Sequence, residues 1–393
     1  MKILFLSQDY PPQTVGGVGV YTYEIARQLV RLGHEAFVIT RAIESPCQYE
    51  DQGVHVYRIK PIAFSWLKPI ADQFFVHRFI ERFEYSYSLA QKIEELVRDK
   101  KIDIIESYES RTEGFWYYLF HRSPPLVIKL HTPDKLIFQL NQEAIGLDQK
   151  LILYIEEWWL RRATQLVGLT DSIVKLVAQN YQMDLTRIPI VLNPIDLHFF
   201  SPSREIYPNN KRVLYVGRLE FRKGIHVLIN AIPRVLEKIP EAEFIFVGAD
   251  CGMKSYLLEQ MALPQYRHKI RWMGPVPREE LLSSYWGSQV CVIPSLWENH
   301  PIVCLEAIGC GKAVVASNIG GLSELIQDGE NGMLFSVGSS RQLADKLISL
   351  LSDVNQCQKM GEKARKLIEE KYNPERVARQ TIQVYEQVIA SRN

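Results

Sequence analysis

The sequence predicts an α/β protein built from two doubly wound, Rossmann-like domains in series. Three observations carry this. Short apolar runs alternate with amphipathic stretches almost throughout the chain; the alternation halts once, in a proline-rich segment near the middle, and then restarts. A length of 393 residues is enough for two separate cores. Strands joined by helical crossovers pair in parallel and bind ligands at their carboxyl ends.

Taken in order, KILFLS reads as the first strand, TVGGVGVY as a glycine loop, and Val20 to Leu32 as a helix that Gly33 closes at its C-terminus. HEAFVITR, DIIES, LVIKLH and TQLVGLT read as further strands with helical patterns between them. The segment IPIVLNPIDLHFFSPSREIYPNNKR, with Pro189, Pro194, Pro202 and Pro208, reads as an inter-domain linker. After it come RVLYVG, a helix over Ile225–Ile239, AEFIFVG, KIRWMG, VCVIPS, KAVVAS and GMLFS, with a final helix over Pro374–Ala390. The expected organisation is an N-terminal domain over 1–200, a second over 201–373, and a C-terminal helix over 374–393 that crosses back to the first.

Hydrophobic content of 47% and charged content of 23% are ordinary for a globular chain. A net charge of +1 offers no global electrostatic case for nucleic acid. Cys47, Cys251, Cys291, Cys304, Cys310 and Cys357 form no CxxC pair; the three that lie in apolar runs suit reduced core thiols of a cytoplasmic protein. The apolar run of MKILFLSQDYPP is too short for a signal peptide. There is no uninterrupted apolar stretch of about 18 residues, so a spanning helix is not expected.

Three stretches point to chemistry. Gly16, Gly17 and Gly19 follow the first strand, where glycines let backbone approach a ligand and a helix N-terminus offers N–H groups to an anion. The spacing is not GxGxxG, so a dinucleotide reading is weak and a plain flexible turn stands beside it. After RVLYV come Gly217, Arg218, Leu219, Glu220, Phe221, Arg222, Lys223 and Gly224. Arg218 can fork across phosphate oxygens and Lys223 can add a mobile charge, together neutralising a diphosphate without a metal; the alternative is a solvated charged loop. Third, Glu298 precedes Pro301, which suits the first position of a helix, and Glu306 falls in that helix's second turn. A buried carboxylate needs donors, from a nearby cation or from ligand hydroxyls such as a vicinal ribose pair.

In this order the residues resemble a known family: the retaining glycosyltransferases of the GT-B fold that include bacterial mannosyl- and glucosyltransferases, the "glycosyl transferases, group 1". The resemblance spans nearly the whole chain: GGVG after strand one, His131-Thr132, the NPID at 193–196, VGR-x4-KG, the E-x7-E of Glu298 and Glu306, and GGLSELIQDGENG. It implies two Rossmann-like domains facing across a cleft, and transfer of a hexose from a nucleotide-diphospho-sugar (UDP or GDP) to a hydroxyl acceptor that is a glycan, a lipid-linked sugar or a small molecule. No cofactor and no metal are implied. Arg218 and Lys223 look like the pair that binds the donor diphosphate and stabilises the leaving group, Glu306 like the carboxylate holding the ribose, and Glu298 like the residue facing the donor sugar. His131 looks like the N-domain histidine that addresses the sugar, and Gly16 and Gly17 like the loop closing over the phosphates. Backbone around Met273–Val276, with Gly274 and Val276, is placed at the base, and Asn299, His300, Pro301, Ile302 and Val303 line the donor.

The loop departs from the family's E-G-F-G or E-G-F-P: it reads Glu298-Asn299-His300-Pro301. His300 either touches the donor or caps the helix. Residues 61–83, PIAFSWLKPIADQFFVHRFIERF, suit either core plus acceptor-pocket wall or peripheral contact with the inner face of a membrane. Glu106, Glu109 and Arg111 are placed in the acceptor cleft. Alternative readings are a GT-B sugar-nucleotide epimerase, a phosphorylase, or a non-catalytic nucleotide-sugar sensor.

Overall fold

The computed structural model describes residues 1–12, 16–186, 188–203, 207–266 and 268–391. It divides into two compact units, one of Met1–Pro194 with Pro374–Asn393 and one of Ile195–Asn373. The division falls inside the proline-rich segment, after Pro194.

In the first unit, β1 (Lys2–Leu6), β2 (Glu35–Arg41), β3 (Cys47–Asp51), β4 (Val54–Ile59), β5 (Ile104–Tyr108), β6 (Leu126–Leu130) and β7 (Gln165–Gly168) form one sheet in the order β3-β4-β2-β1-β5-β6-β7. All neighbours are parallel except β3 and β4. The antiparallel pair is joined by Gln52 and Gly53, both with positive φ, which is the two-residue hairpin turn whose twist matches its strands. The order reverses at β1, and Ile3–Leu6 of β1 are buried on both faces, as their unbroken apolar run requires.

The helix after β1 spans Gly17–Arg31, three residues earlier than expected. Gly16 is its N-cap and Gly17 and Gly19 lie within it, so these glycines shape a helix start and are not a free loop; Thr14 and Val15 lie outside the described residues. Its end is a Schellman motif: Gly33, at φ +86°, donates to the Val30 carbonyl at 2.9 Å and His34 to that of Leu29 at 3.0 Å. The C-terminal helix Pro374–Ala390 belongs to this unit, burying Val377, Ala378 and Val388 in its core.

In the second unit, β8 (Arg212–Val216), β9 (Glu243–Val247), β10 (Ile270–Gly274), β11 (Val290–Ile293), β12 (Ala313–Ser317) and β13 (Met333–Phe335) form a wholly parallel sheet in the order β10-β9-β8-β11-β12-β13. The helix Ile225–Lys238 packs one face of it through Ile225, Leu228, Ile232 and Val235. β8 and β11 are neighbours, so the chain reverses its direction of sheet growth between them. The loops leaving their carboxyl ends therefore lie side by side, at the switch point where open α/β sheets bind ligands.

Candidate active site

The loop after β8 reaches the loop after β11 only because Gly224 has no side chain: it sits at φ +71°, and a Cβ there would lie 1.8 Å from the Pro294 carbonyl oxygen. The Leu296 N–H donates to the Arg222 carbonyl at 2.8 Å and joins the two loops. Lys223, the last residue of the short turn Phe221–Lys223, thereby meets Glu298: Nζ stands 2.5 Å from Oε1, and the Ser295 hydroxyl donates to the same oxygen at 2.7 Å. The main chain of Glu298 is fixed from behind, since its carbonyl accepts from Gly321 at 3.1 Å and a Cβ on Gly320 would fall 2.4 Å from that oxygen.

Burial alone would raise the Glu298 carboxyl, but the Lys223 charge and the bonds from Lys223 and Ser295 more than offset it and hold it below the usual carboxylate range. Burial lowers Lys223, the Glu298 carboxylate opposes this, and the Arg222 and Arg218 charges add to it. The three cations of the loop have different tasks. Arg222 is buried, with Nε donating to Glu220 at 2.7 Å, whereas the half-exposed Arg218 lies 3.1 Å from the other Glu220 oxygen. The Tyr215 hydroxyl pins the Arg218 carbonyl at 2.8 Å.

The helix after β11 spans Ile302–Gly309. Pro301, expected as its first residue, is the N-cap instead, at φ −71° and ψ 115°, with no side-chain hydrogen bond to the helix. His300 therefore does not cap the helix; its ring is buried and stacks on Tyr372 at 5.3 Å. Asn299 is buried beside it, and Ile302 and Val303 supply the helix's first two N–H groups. Glu306 lies in the second turn and accepts from the Tyr285 hydroxyl at 2.8 Å. A protein hydroxyl is thus one donor to this acid. Burial and then the Glu306 charge push the Tyr285 hydroxyl well above its usual range, so it keeps its proton. Gly274 ends β10 at φ +72° and accepts from the Gly248 N–H at 2.8 Å; Val276 follows in the loop before the helix Arg278–Trp286.

In the first unit, His131 follows β6. Its N–H donates to Glu109 at 2.8 Å and its ring lies edge-on to Tyr21 and Tyr108, at 5.5 and 5.0 Å. Burial pushes Glu109 up to about 8, with the His131 N–H opposing. Glu106 does not line a cleft. It is buried in β5, accepts from Tyr21 at 2.9 Å and from Tyr385 of the C-terminal helix at 2.6 Å, and faces the charge of Lys129. Lys129, also buried, lies 4.0 Å over the Tyr21 ring and is brought down to about 7 by desolvation. Arg111 is exposed at φ +66°, a conformation uncommon outside glycine.

Sequence reasoning missed Ser295, Tyr285 and Tyr372. Ser295 lay in the strand end VCVIPS and carried a readable hydroxyl three residues before Glu298; nothing local marks Tyr285 or Tyr372, which reach the site from other elements. Among the described residues no group of three His, Cys, Asp or Glu side chains is arranged to hold a metal ion.

The chain matches the family model "Glycosyltransferase Family 4" over residues 15–199 and "Glycosyl transferases group 1" over residues 198–367. It is 31% identical to a D-inositol 3-phosphate glycosyltransferase of Corynebacterium urealyticum, covering 98% of this chain and 95% of that one. It is 29% identical to an uncharacterized glycosyltransferase of Methanocaldococcus jannaschii, covering 98% of each. Among solved structures it resembles sucrose-phosphate synthase from Thermosynechococcus elongatus, with a TM-score of 0.80 and 20% identity over 99% of both chains. It also resembles Anabaena HepE in complex with UDP-glucose, with a TM-score of 0.76 and 20% identity over 98% of this chain and 100% of that one. With a cationic turn and an acidic loop at the switch point of its second sheet, the chain belongs to the group 1 glycosyl transferases and is an enzyme of the GT-B fold.

Proposed function

We propose that the enzyme transfers a hexose from a nucleotide-diphospho-sugar to a hydroxyl acceptor, with retention of configuration and without a metal. The observation that carries this is the Lys223–Glu298 pair on the same loops as the half-exposed Arg218, at adjacent carboxyl ends of β8 and β11. Breaking the bond between the sugar's C1 and the diphosphate oxygen builds negative charge on the leaving group. Arg218, Lys223 and the N-terminus of Ile302–Gly309 supply fixed positive charge for it. The acceptor oxygen forms the new bond to C1, and its proton passes to the departing phosphate. Glu298, held ionised by its partners, accepts from hydroxyls of the donor sugar and favours the cationic transition state. Glu306, aimed by Tyr285, accepts from the ribose hydroxyls, and backbone at Gly274–Val276 meets the base. A protein of the same fold supports the donor class: HepE was solved in complex with UDP-glucose.

The test is a panel of UDP-, GDP- and ADP-sugars assayed for donor hydrolysis and transfer, with and without EDTA. Turnover of one donor, undiminished by EDTA, is expected. Loss of all turnover under EDTA, restored by added metal, overturns the metal-free mechanism. Sugar interconversion without an acceptor would make the enzyme an epimerase, and binding without turnover would make it a sensor.

A further inference from the structure

Residues 61–83 were open to two readings, and the structure decides against burial for the first half of the segment. The turn Ser65–Leu67 runs directly into the helix Lys68–Phe74. Leu67, Ala71 and Val76 are buried and anchor the segment to the first unit. The neighbouring stripe, at four-residue spacing, points outward: Trp66 is 65% exposed, Ile70 is also exposed, and Phe74 is 49% exposed. Phe75 follows, 79% exposed.

Three further observations say what this face meets. Phe75 occupies the helix C-cap at φ +53° and ψ +45°, left-handed backbone for which glycine is the ordinary choice and a bulky aromatic an outlier. A phenylalanine at that position, turned to solvent, buries nothing in the core of the unit. The rings also continue across the surface. Trp66 contacts Phe64, Phe64 contacts Tyr87, Tyr87 contacts Trp116, and Trp116 stacks on Phe120, itself 72% exposed. Single exposed apolar residues are normal, but a connected aromatic patch marks an interaction surface. Finally, the charge on the face is positive. Lys60 and Lys68 are exposed and in no ion pair among the described residues, while both acids of residues 61–83 have partners: Asp72 lies 3.6 Å from His77 and Glu81 lies 2.7 Å from Arg41.

Aromatic and aliphatic side chains flanked by unpaired lysines match the boundary between lipid headgroups and acyl chains, with long basic stems reaching up to phosphates. Among the described residues no helix is long and apolar enough to cross a membrane, so contact would be lateral. We propose that this face, with Trp66, Ile70, Phe74, Phe75 and Phe120 inserted and Lys60 and Lys68 on lipid phosphates, seats the enzyme on an anionic membrane surface. The surface stands independently of the donor chemistry. That the acceptor is itself lipid-linked, presented in the plane of that membrane, rests on the transferase reading.

The test is co-sedimentation of the full chain with phosphatidylcholine vesicles, with and without phosphatidylglycerol. Binding is expected to the anionic vesicles and to weaken with salt. Trp66→Ser/Phe74→Ser/Phe75→Ser should reduce it by at least about tenfold, and Lys60→Glu/Lys68→Glu should remove the preference for phosphatidylglycerol. Phe75→Gly guards against misfolding, because glycine suits the left-handed position: this variant should melt no lower than the parent and still bind vesicles less. Donor hydrolysis should be unchanged in all of these variants, which separates failure of the membrane surface from failure of the donor reading. No sedimentation with anionic vesicles, or equal binding by the triple variant, overturns the proposal. So does a concentration-dependent dimer in sedimentation velocity that the triple variant abolishes, which would assign the face to a second copy.

Discussion

The Lys223 ammonium lies 2.5 Å from the Glu298 carboxylate, across two loops 75 residues apart in sequence. In one contact it joins the candidate leaving-group cation to the candidate sugar-facing acid. The buried pair has both a structural and a chemical consequence, and a comparison with Arg218 separates them. Lys223→Ala strands a buried carboxylate and should cost on the order of 3–5 kcal/mol of stability as well as about 100-fold or more in kcat. Arg218→Ala removes a half-exposed side chain whose partner is Glu220, so stability should stay within about 1 kcal/mol while kcat falls comparably. Denaturant melts and steady-state kinetics on both variants check this. Near-normal turnover in the two together would sink the diphosphate assignment.

Glu306 and Tyr285 form a second pair, and the ribose role predicts how they differ. Glu306→Gln should weaken nucleoside diphosphate binding by about tenfold, the worth of a hydrogen bond to a charged acceptor. It should also erase the preference for the ribose over the 2′-deoxyribose form. Tyr285→Phe leaves the carboxylate in place but removes one of its hydrogen bonds, so it should cost about 1–3 kcal/mol of stability with a smaller loss of affinity. Calorimetric titration with the two nucleotides decides. An unchanged preference in Glu306→Gln would mean that the acid serves the fold alone.

How much of this was legible beforehand follows from the range of each interaction. Runs such as RVLYV and VCVIP are readable strands because burial on both faces demands continuous apolar residues. The loops carrying Arg218 and Glu298 could then be placed at strand ends, but the adjacency of β8 and β11 that presses Lys223 onto Glu298 is a property of sheet order. Glu106 was misplaced for the same reason: one of its two donors, Tyr385, lies 279 residues away. The hairpin β3–β4 carries a local signal, Gln52-Gly53 between two strand-like runs. For the Trp66–Phe75 stretch, spacing defined a face but not whether protein covers it.

The first unit's buried ionisable groups predict the pH dependence of stability. Burial raises Glu109 to about 8 and Glu113 to about 7. The folded chain therefore holds protons that unfolded glutamates release near pH 4.3. Their contribution is complete below that value and is lost as pH rises through about 7 and 8, at up to about 1.4 kcal/mol per pH unit for each group. Lys129 has the opposite sign. The folded amine gives up its proton near 7 and the unfolded one near 10.4, so stability is regained between those values and lost again as pH falls through 7. Together the three place a trough of stability near neutral to mildly alkaline pH. Urea melts across this range should show it, with Glu109→Gln flattening the descent and Lys129→Met the recovery. A parent curve that rises steadily from acid to neutral pH would contradict the assignment.

The loop between the two glutamates is where donor choice should be found. Asn299 and His300 stand where the resembling family carries glycine and phenylalanine, and both are buried between Glu298 and the helix start. His300 stacks on Tyr372 with its ring planes 24° apart, a contact that a phenylalanine ring can keep. His300→Phe should therefore change stability by less than about 1 kcal/mol, since shape and stacking persist while two ring nitrogens are lost. Any change in donor choice then reflects those nitrogens and not a collapsed loop. Asn299→Gly removes a side-chain amide next to the sugar-facing acid and restores backbone freedom at that position. The double variant should redistribute kcat/KM among UDP-glucose, UDP-N-acetylglucosamine and GDP-mannose, because a site that hydrogen-bonds a particular hydroxyl or amide discriminates strongly against donors lacking it. Competition assays with the three donors present together measure that ratio directly. If the ratio is the same in parent and double variant while Glu298→Gln abolishes transfer of all three, the loop only supports Glu298 and donor choice is set elsewhere in the site.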